Sequence, residues 1–139
     1  MCRKRKTTMD QTKLKKGYTG YELTSHARSE LLAQVAPVHP DVIAHHITHE
    51  YGVYEQLPPY VDMVRVVAVA QNDLVQAAIV KVNGTTTREY GDSFYHITVS
   101  IDKAAGGKAV DSNALIKDST SWTAVDPFNL AVMPKFFNI

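Results

Sequence analysis

The sequence predicts an α+β protein built mainly from antiparallel strands. Three observations carry that expectation. One early segment has helical apolar periodicity, and several later runs alternate apolar with polar residues across turn chemistry. The phrase His-Ile-Thr also occurs twice, at residues 46–48 and 96–98, each time inside a strand-like run.

Residues 17–23 (GYTGYEL) read as the first strand and carry Tyr18 and Tyr21. Thr24 or Ser25 can cap a helix running to about Val35, because Ala27, Leu31, Leu32 and Val35 fall on one stripe. Pro37 and Pro40 end it and lead into a strand over residues 42–50 that holds the first phrase. Gln56-Leu57-Pro58-Pro59 is a loop. Residues 61–70 and 74–82 flank Gln71-Asn72-Asp73, a composition that predicts a hairpin. Asn83-Gly84 is a second turn signal, and residues 85–90 continue as strand or loop. The second phrase sits in a strand over residues 93–102, which the Ala-Ala-Gly-Gly at 104–107 breaks. Ser112 can cap a short helix through Lys117. Residues 122–132 form a closing strand interrupted at Pro127, and Phe136 and Phe137 in the tail are either docked on the domain or used in association.

In a strand, residues two apart share a face. Phe94, His96, Thr98 and Ser100 therefore lie on one side, and Tyr95, Ile97, Val99 and Ile101 form an apolar opposite side. In the first copy Val42, Ala44, His46, Thr48 and Glu50 share a face. The set behind them, Ile43, His45, Ile47 and His49, is less cleanly apolar, and His45 and His49 are expected to pack behind the sheet. His26 and His39 are expected at the surface. Each phrase thus presents one imidazole and one hydroxyl together. Two such pairs suit acid–base work on a phosphodiester. His46 and His96 would form the proton-transfer pair, and Thr48 and Thr98 would hold the non-bridging phosphate oxygens. Which His is the base is not legible in the sequence. Tyr21, Tyr51 and Phe94 are candidate rings for stacking on a base, with ordinary packing as the alternative.

The paired phrases resemble the signature of the two-histidine (2H) phosphoesterase superfamily, with its RNA ligase-like and cyclic phosphodiesterase branches. The stretch GYTGYELTSHARSELLAQVAPVHPDVIAHHITHEYGV is similar to the first lobe of its small members, and the likeness extends over most of residues 17–125. It implies two βα lobes with antiparallel sheets around a central cleft, a short helix after the second motif, and catalysis without a metal or other cofactor. It also implies a substrate carrying a 2′,3′-cyclic phosphate or a 2′-linked or cyclic nucleotide, second messengers included. A nucleotide- or RNA-binding module that keeps the pocket but catalyses nothing is the alternative.

Length and composition bound these readings. The chain of 139 residues is 45% apolar, ordinary for one domain, and no apolar run approaches the ~20 residues of a membrane span. Its start is basic but has no apolar stretch of the signal-peptide kind, and the single Cys2 excludes an internal disulfide, so an intracellular protein is expected. Adjacent and i+3 histidines splay apart on a strand, and neither a cysteine cluster nor a His-Glu-x-x-His helix is present, which argues against zinc. No Gly-x-Ser-x-Gly elbow supports nucleophilic catalysis. Residues 1–17 hold seven Lys and Arg against one Asp, whereas the remainder carries a formal charge of −5. Residues 1–16 are accordingly expected to be a basic, flexible tail, solvated or serving as an arm for nucleic acid, and residues 17–139 the single domain. The acidic body favours a nucleotide or short RNA in a local pocket, with no membrane and no obligate protein partner.

Overall fold

Turn and cap chemistry set the element boundaries. The computed structural model describes residues 15–91 and 93–139, so most of the expected basic tail lies outside the described residues. Lys16 already belongs to the first strand, β1 (Lys16–Leu23), one residue before the expected boundary. Helix α1 (Ser25–Gln34) starts at Thr24, whose hydroxyl accepts from Ala27 N at 3.1 Å. Strands β2 (Asp41–Val42) and β3 (His46–Tyr54) follow. The expected hairpin is β4 (Met63–Gln71) and β5 (Val75–Lys81), whose turn is pinned by Asn72 Oδ1 accepting from Leu74 N and Val75 N. Strand β6 (His96–Ile101), helix α2 (Asp111–Lys117) and strand β7 (Thr123–Asn138) complete the order.

The α+β class is as expected, and the strands form one continuous antiparallel sheet. Its order is β2-β6-β3-β1-β7-β4-β5, and β5 also pairs with β6. That last pairing closes six strands into a barrel, with β2 continuing the β3 side of β6. The pairing itself does not divide the strands into two separate lobes.

The period-two pattern sorts the barrel's faces. On β1, Thr19, Tyr21 and Leu23 point to the interior and are buried. Tyr21 and Leu23 join Ile47, Val64, Val66, Val80, Ile97, Val99 and Leu130, and Ala27 and Leu31 of α1 and its C-cap Val35 pack into the same cluster. A second cluster, Ala68, Ala70, Ala77, Ile79 and Ile116, lies where α2 covers the outer side of β4 and β5. Burial of the Val, Leu and Ile side chains among these, worth about 1.5–3 kcal/mol each, is the main term that stabilises the closed sheet.

Two expectations about local structure change. The closing strand does not stop at Pro127: β7 runs to Asn138, because a register irregularity between its pairings with Val66 and Ala68 accommodates the proline. Its far end pairs with β1, Tyr18 opposite Phe137, so the two-Phe tail is docked. Ser112 is not the cap of α2 but its second residue, and its hydroxyl is drawn to side chains of β6 instead.

Candidate active site

The outer face of β1, β3 and β6 carries a cavity of about 580 Å³. His46, Thr48, His96 and Thr98 all line it. The reason is local. Ile47 and Ile97, the middle residues of the two phrases, pair across β3 and β6 and are fully buried, which turns the flanking His and Thr outward. Glycine clears the floor. On β1, Gly20 is paired with Thr48, and a Cβ there would run into the carbonyl oxygen of Ile47.

The even-numbered residues of β1 share the cavity face. Tyr18 stacks on Tyr51 (5.8 Å between centroids, 20°) and on Phe137 (4.9 Å, 18°). Phe137 in turn lies 4.8 Å from the His46 ring. Three aromatic rings therefore form a column beside the first imidazole. Tyr51 is 64% exposed at its outer end. Glu22 pairs with Lys135 at 2.8 Å and His45 at 3.0 Å; the Lys135 hydrogen bond is the main reason its carboxyl is held below the usual range.

The second phrase is bonded differently. His96 Nδ1 lies 2.9 Å from the Phe94 carbonyl, and Nε2 lies 3.0 Å from Ser112 Oγ. Thr98 Oγ1 is also 3.0 Å from Ser112 Oγ. Arg88 contributes a guanidinium to the wall, and its Nε donates to the Tyr90 carbonyl at 3.2 Å. Ser93 adds a hydroxyl whose oxygen is buried without a hydrogen-bond partner among the described residues.

Both imidazoles are biased toward the neutral form. Burial, then the charges of His45 and His96, push His46 down to about 4. Burial also pushes His96 down, while its hydrogen bond to the Phe94 carbonyl favours the protonated ring. An anionic phosphate between them would act the other way and raise both.

His45 is not packed behind the sheet. Ala44 has φ 46°, in the left-handed region, so the chain kinks before β3 begins and alternation fails there. His45 is thereby turned into the cavity wall, its Nδ1 3.0 Å from His46 Nδ1. His49 is buried as expected, tied to Thr19 Oγ1 at 3.2 Å and to Glu89 at 2.9 Å. His26 is exposed, and His39 is half-buried with Nε2 2.8 Å from the Asn72 carbonyl.

Of the three candidate stacking rings, only Tyr51 reaches the cavity. Tyr21 is 1% exposed, and its hydroxyl donates at 2.7 Å to the carbonyl of Pro59, in the loop before β4. Phe94 packs edge-on against Trp122 beneath α2. Tyr18, His45, Arg88, Ser93 and Ser112 are among the wall residues that sequence reasoning did not assign to the site, and Phe137 lies against the His46 ring behind them. Tyr18 had a signal: three residues from Tyr21 on one strand, it must face the other way. Among the described residues no three His, Cys, Asp or Glu side chains cluster closely enough to hold a metal ion, and no helix is long and apolar enough to cross a membrane.

No family model, no curated protein and no solved structure matches this chain.

Proposed function

We propose that this chain is a metal-independent phosphodiesterase acting on a 2′,3′-cyclic phosphate or on a 2′-linked or cyclic nucleotide, second messengers included. One observation carries the reading: both His-Ile-Thr phrases, fifty residues apart, line a single cavity beside an aromatic column. The volume is in the range of small-ligand sites, roughly 300–1,000 Å³. Tyr51, at the exposed end of the column, offers a base a face to stack on, and Thr48 and Thr98 offer the phosphate hydroxyl donors.

In this mechanism His46, held neutral by burial, takes a proton from the attacking water. The water oxygen bonds to phosphorus, and the phosphorus–oxygen bond to the leaving group breaks. His96, in its protonated form, gives its proton to that leaving oxygen, and the Thr hydroxyls stabilise charge on the non-bridging oxygens. The halves β1-α1-β2-β3 and β4 to β7 each donate one phrase, so on this reading they stand as the two βα lobes of the 2H phosphoesterases, here fused through one sheet.

The test is a panel of cyclic mono-, di- and oligonucleotides and 2′–5′ oligonucleotides, incubated in excess EDTA with products separated by chromatography. Hydrolysis of one class in chelator is expected. Tight binding without turnover would move the assignment to a non-catalytic nucleotide- or RNA-binding module, and rescue of lost activity by zinc or manganese to metal catalysis.

A further inference from the structure

Ser112 stands between the two functional side chains of the second phrase. Its hydroxyl oxygen is 3.0 Å from His96 Nε2, 3.0 Å from Thr98 Oγ1 and 2.7 Å from the Ala109 carbonyl oxygen, and the residue is wholly buried. Among the described residues no counterpart serves the first phrase, where His46 Nδ1 meets another imidazole, that of His45.

The donors and acceptors can be counted. The Phe94 carbonyl only accepts, so His96 Nδ1 carries a proton in either charge state. With the ring neutral, Nε2 is an acceptor and the Ser112 hydroxyl donates to it, while Thr98 Oγ1 donates to the Ala109 carbonyl at 3.4 Å. With the ring charged, Nε2 donates to Ser112 Oγ and the hydroxyl turns to the Ala109 carbonyl. Both arrangements satisfy every group at the same heavy-atom positions. They differ by the proton on Nε2 and by one rotation of the Ser112 O–H bond.

We propose that Ser112 is a positioning residue whose hydroxyl fixes the His96 ring and the Thr98 side chain in one geometry and reverses its donor role each time His96 gains or loses a proton. The proposal rests on the two-histidine reading for its purpose and on the hydrogen-bond geometry for its existence. An acid–base group must occupy both charge states in every turnover, and in a buried site the state left without a partner is penalised. Ser112 removes that penalty from both. A phosphate oxygen arriving at Nε2 takes over the bond at little cost, because the hydroxyl keeps the Ala109 carbonyl as its second partner. Among the described residues, the ionisable groups that face His96 are His46 from β3 and Arg88 from the segment after β5. Ile79 of β5 is the residue paired with it, and on α2 the Asp111 carboxylate is turned to Lys108 N at 2.9 Å.

The experiment needs no substrate. Long-range ¹H–¹⁵N spectra of the imidazoles, followed against pH, give the tautomer and titration midpoint of His96. The wild-type neutral ring is expected as the Nδ1–H tautomer with Nε2 shifted as a hydrogen-bond acceptor. Ser112→Ala is expected to lower the midpoint by about half to one pH unit, because a bond to the charged ring outweighs one to the neutral ring. Ser112→Thr, which keeps the hydroxyl, is expected to restore it. An Nε2–H tautomer in the wild type, or an unmoved midpoint in Ser112→Ala, overturns the proposal, and the wild-type spectrum alone decides it should that variant not fold. With a substrate in hand, kcat of Ser112→Ala should fall about tenfold with KM little changed. The expected titration without turnover of any ester in the panel keeps the positioning role and sinks the phosphodiesterase reading.

Discussion

Ile47 of β3 lies opposite Ile97 of β6, and neither has any exposed surface. An antiparallel register through that pair sets His46 beside Thr98 and Thr48 beside His96 on the cavity side. The two phrases thus meet head to tail, each imidazole next to the other strand's hydroxyl. The core pair aligns the polar quartet. Ile97→Val should cost about 1 kcal/mol and Ile97→Ala about 2–5 kcal/mol in urea denaturation, the second with lost turnover as well. Full turnover in a destabilised Ile97→Ala protein would mean that the pair does not align the site.

Replacing His46 or His96 by Ala removes a proton-transfer partner and should lower kcat by about 10²–10⁴-fold. Ligand binding should change much less, because Thr48, Thr98 and the aromatic column remain. The double variant should be little worse than the worse single one, since groups acting as a unit are far from additive. Wild-type turnover by both single variants would move the chemistry elsewhere.

Stability should fall on acidification within a defined window. His46 has a folded pKa of about 4, below the ~6.5 of an unfolded histidine, so between these values the unfolded chain binds more protons. The contribution is therefore complete above pH ~6.5 and is lost as pH falls toward ~4, and His96 is shifted in the same direction. The shift alone corresponds to about 3 kcal/mol; solvent screening at this partly exposed ring makes the loss smaller. Denaturation midpoints against pH should show the decline, and His46→Asn should flatten it. For activity, both limbs of the kcat/KM profile should lie below pH ~6.5 and belong to the pair, with the kcat limbs higher because bound phosphate favours imidazolium.

Gly20→Ala should damage the site from behind. The added methyl meets the Ile47 carbonyl, so β1 and β3 must part where Gly20 pairs with Thr48. Overpacking of this kind costs about 1–3 kcal/mol, and kcat should drop with stability. An unchanged melting temperature would show that the strands yield without cost.

Tyr51→Ala should raise KM and leave kcat nearly intact, because the ring is exposed at the outer end of the column and touches neither imidazole. Removing one stacking partner costs about 1–3 kcal/mol of binding per base. Equal KM values for the two proteins would exclude Tyr51 from the ligand's path.

The second phrase was legible because alternation holds through it, although β6 bulges against β5 between Thr98 and Ser100 and Ser100 itself is buried. The apolar set Tyr95, Ile97, Val99 and Ile101 is buried as alternation requires. The first phrase was legible only from His46 onward. Ala44 takes a left-handed conformation that nothing in an alanine announces, and this returns His45 to the cavity. The hairpin and α1 followed from Asn72 and Thr24, local signals that need no distant partner. Phe137 did not, since its place beside His46 comes from pairing with Tyr18 at the opposite end of the described chain. Closure through β5 and β6 was hidden for the same reason, because strand partners far apart in sequence leave no local trace. Tyr21 takes the packing reading of the two left open, because a tyrosine pattern fits an interior ring with a satisfied hydroxyl as well as a stacking one.

Around the barrel, β1 and β3 are paired along most of their length. Among the described residues β3 and β6 share the single ladder pair of Ile47 and Ile97, with Ile43 N and Ala44 N donating to the Val99 and Thr98 carbonyls just before β3 begins. That junction is the thinnest seam in the closed sheet, and both phrases border it. Opening of the sheet is expected first at this seam, and amide protons there should exchange sooner than those of β1. A ligand gripping both phrases would act as a clasp across the seam, tightening the whole barrel as it binds.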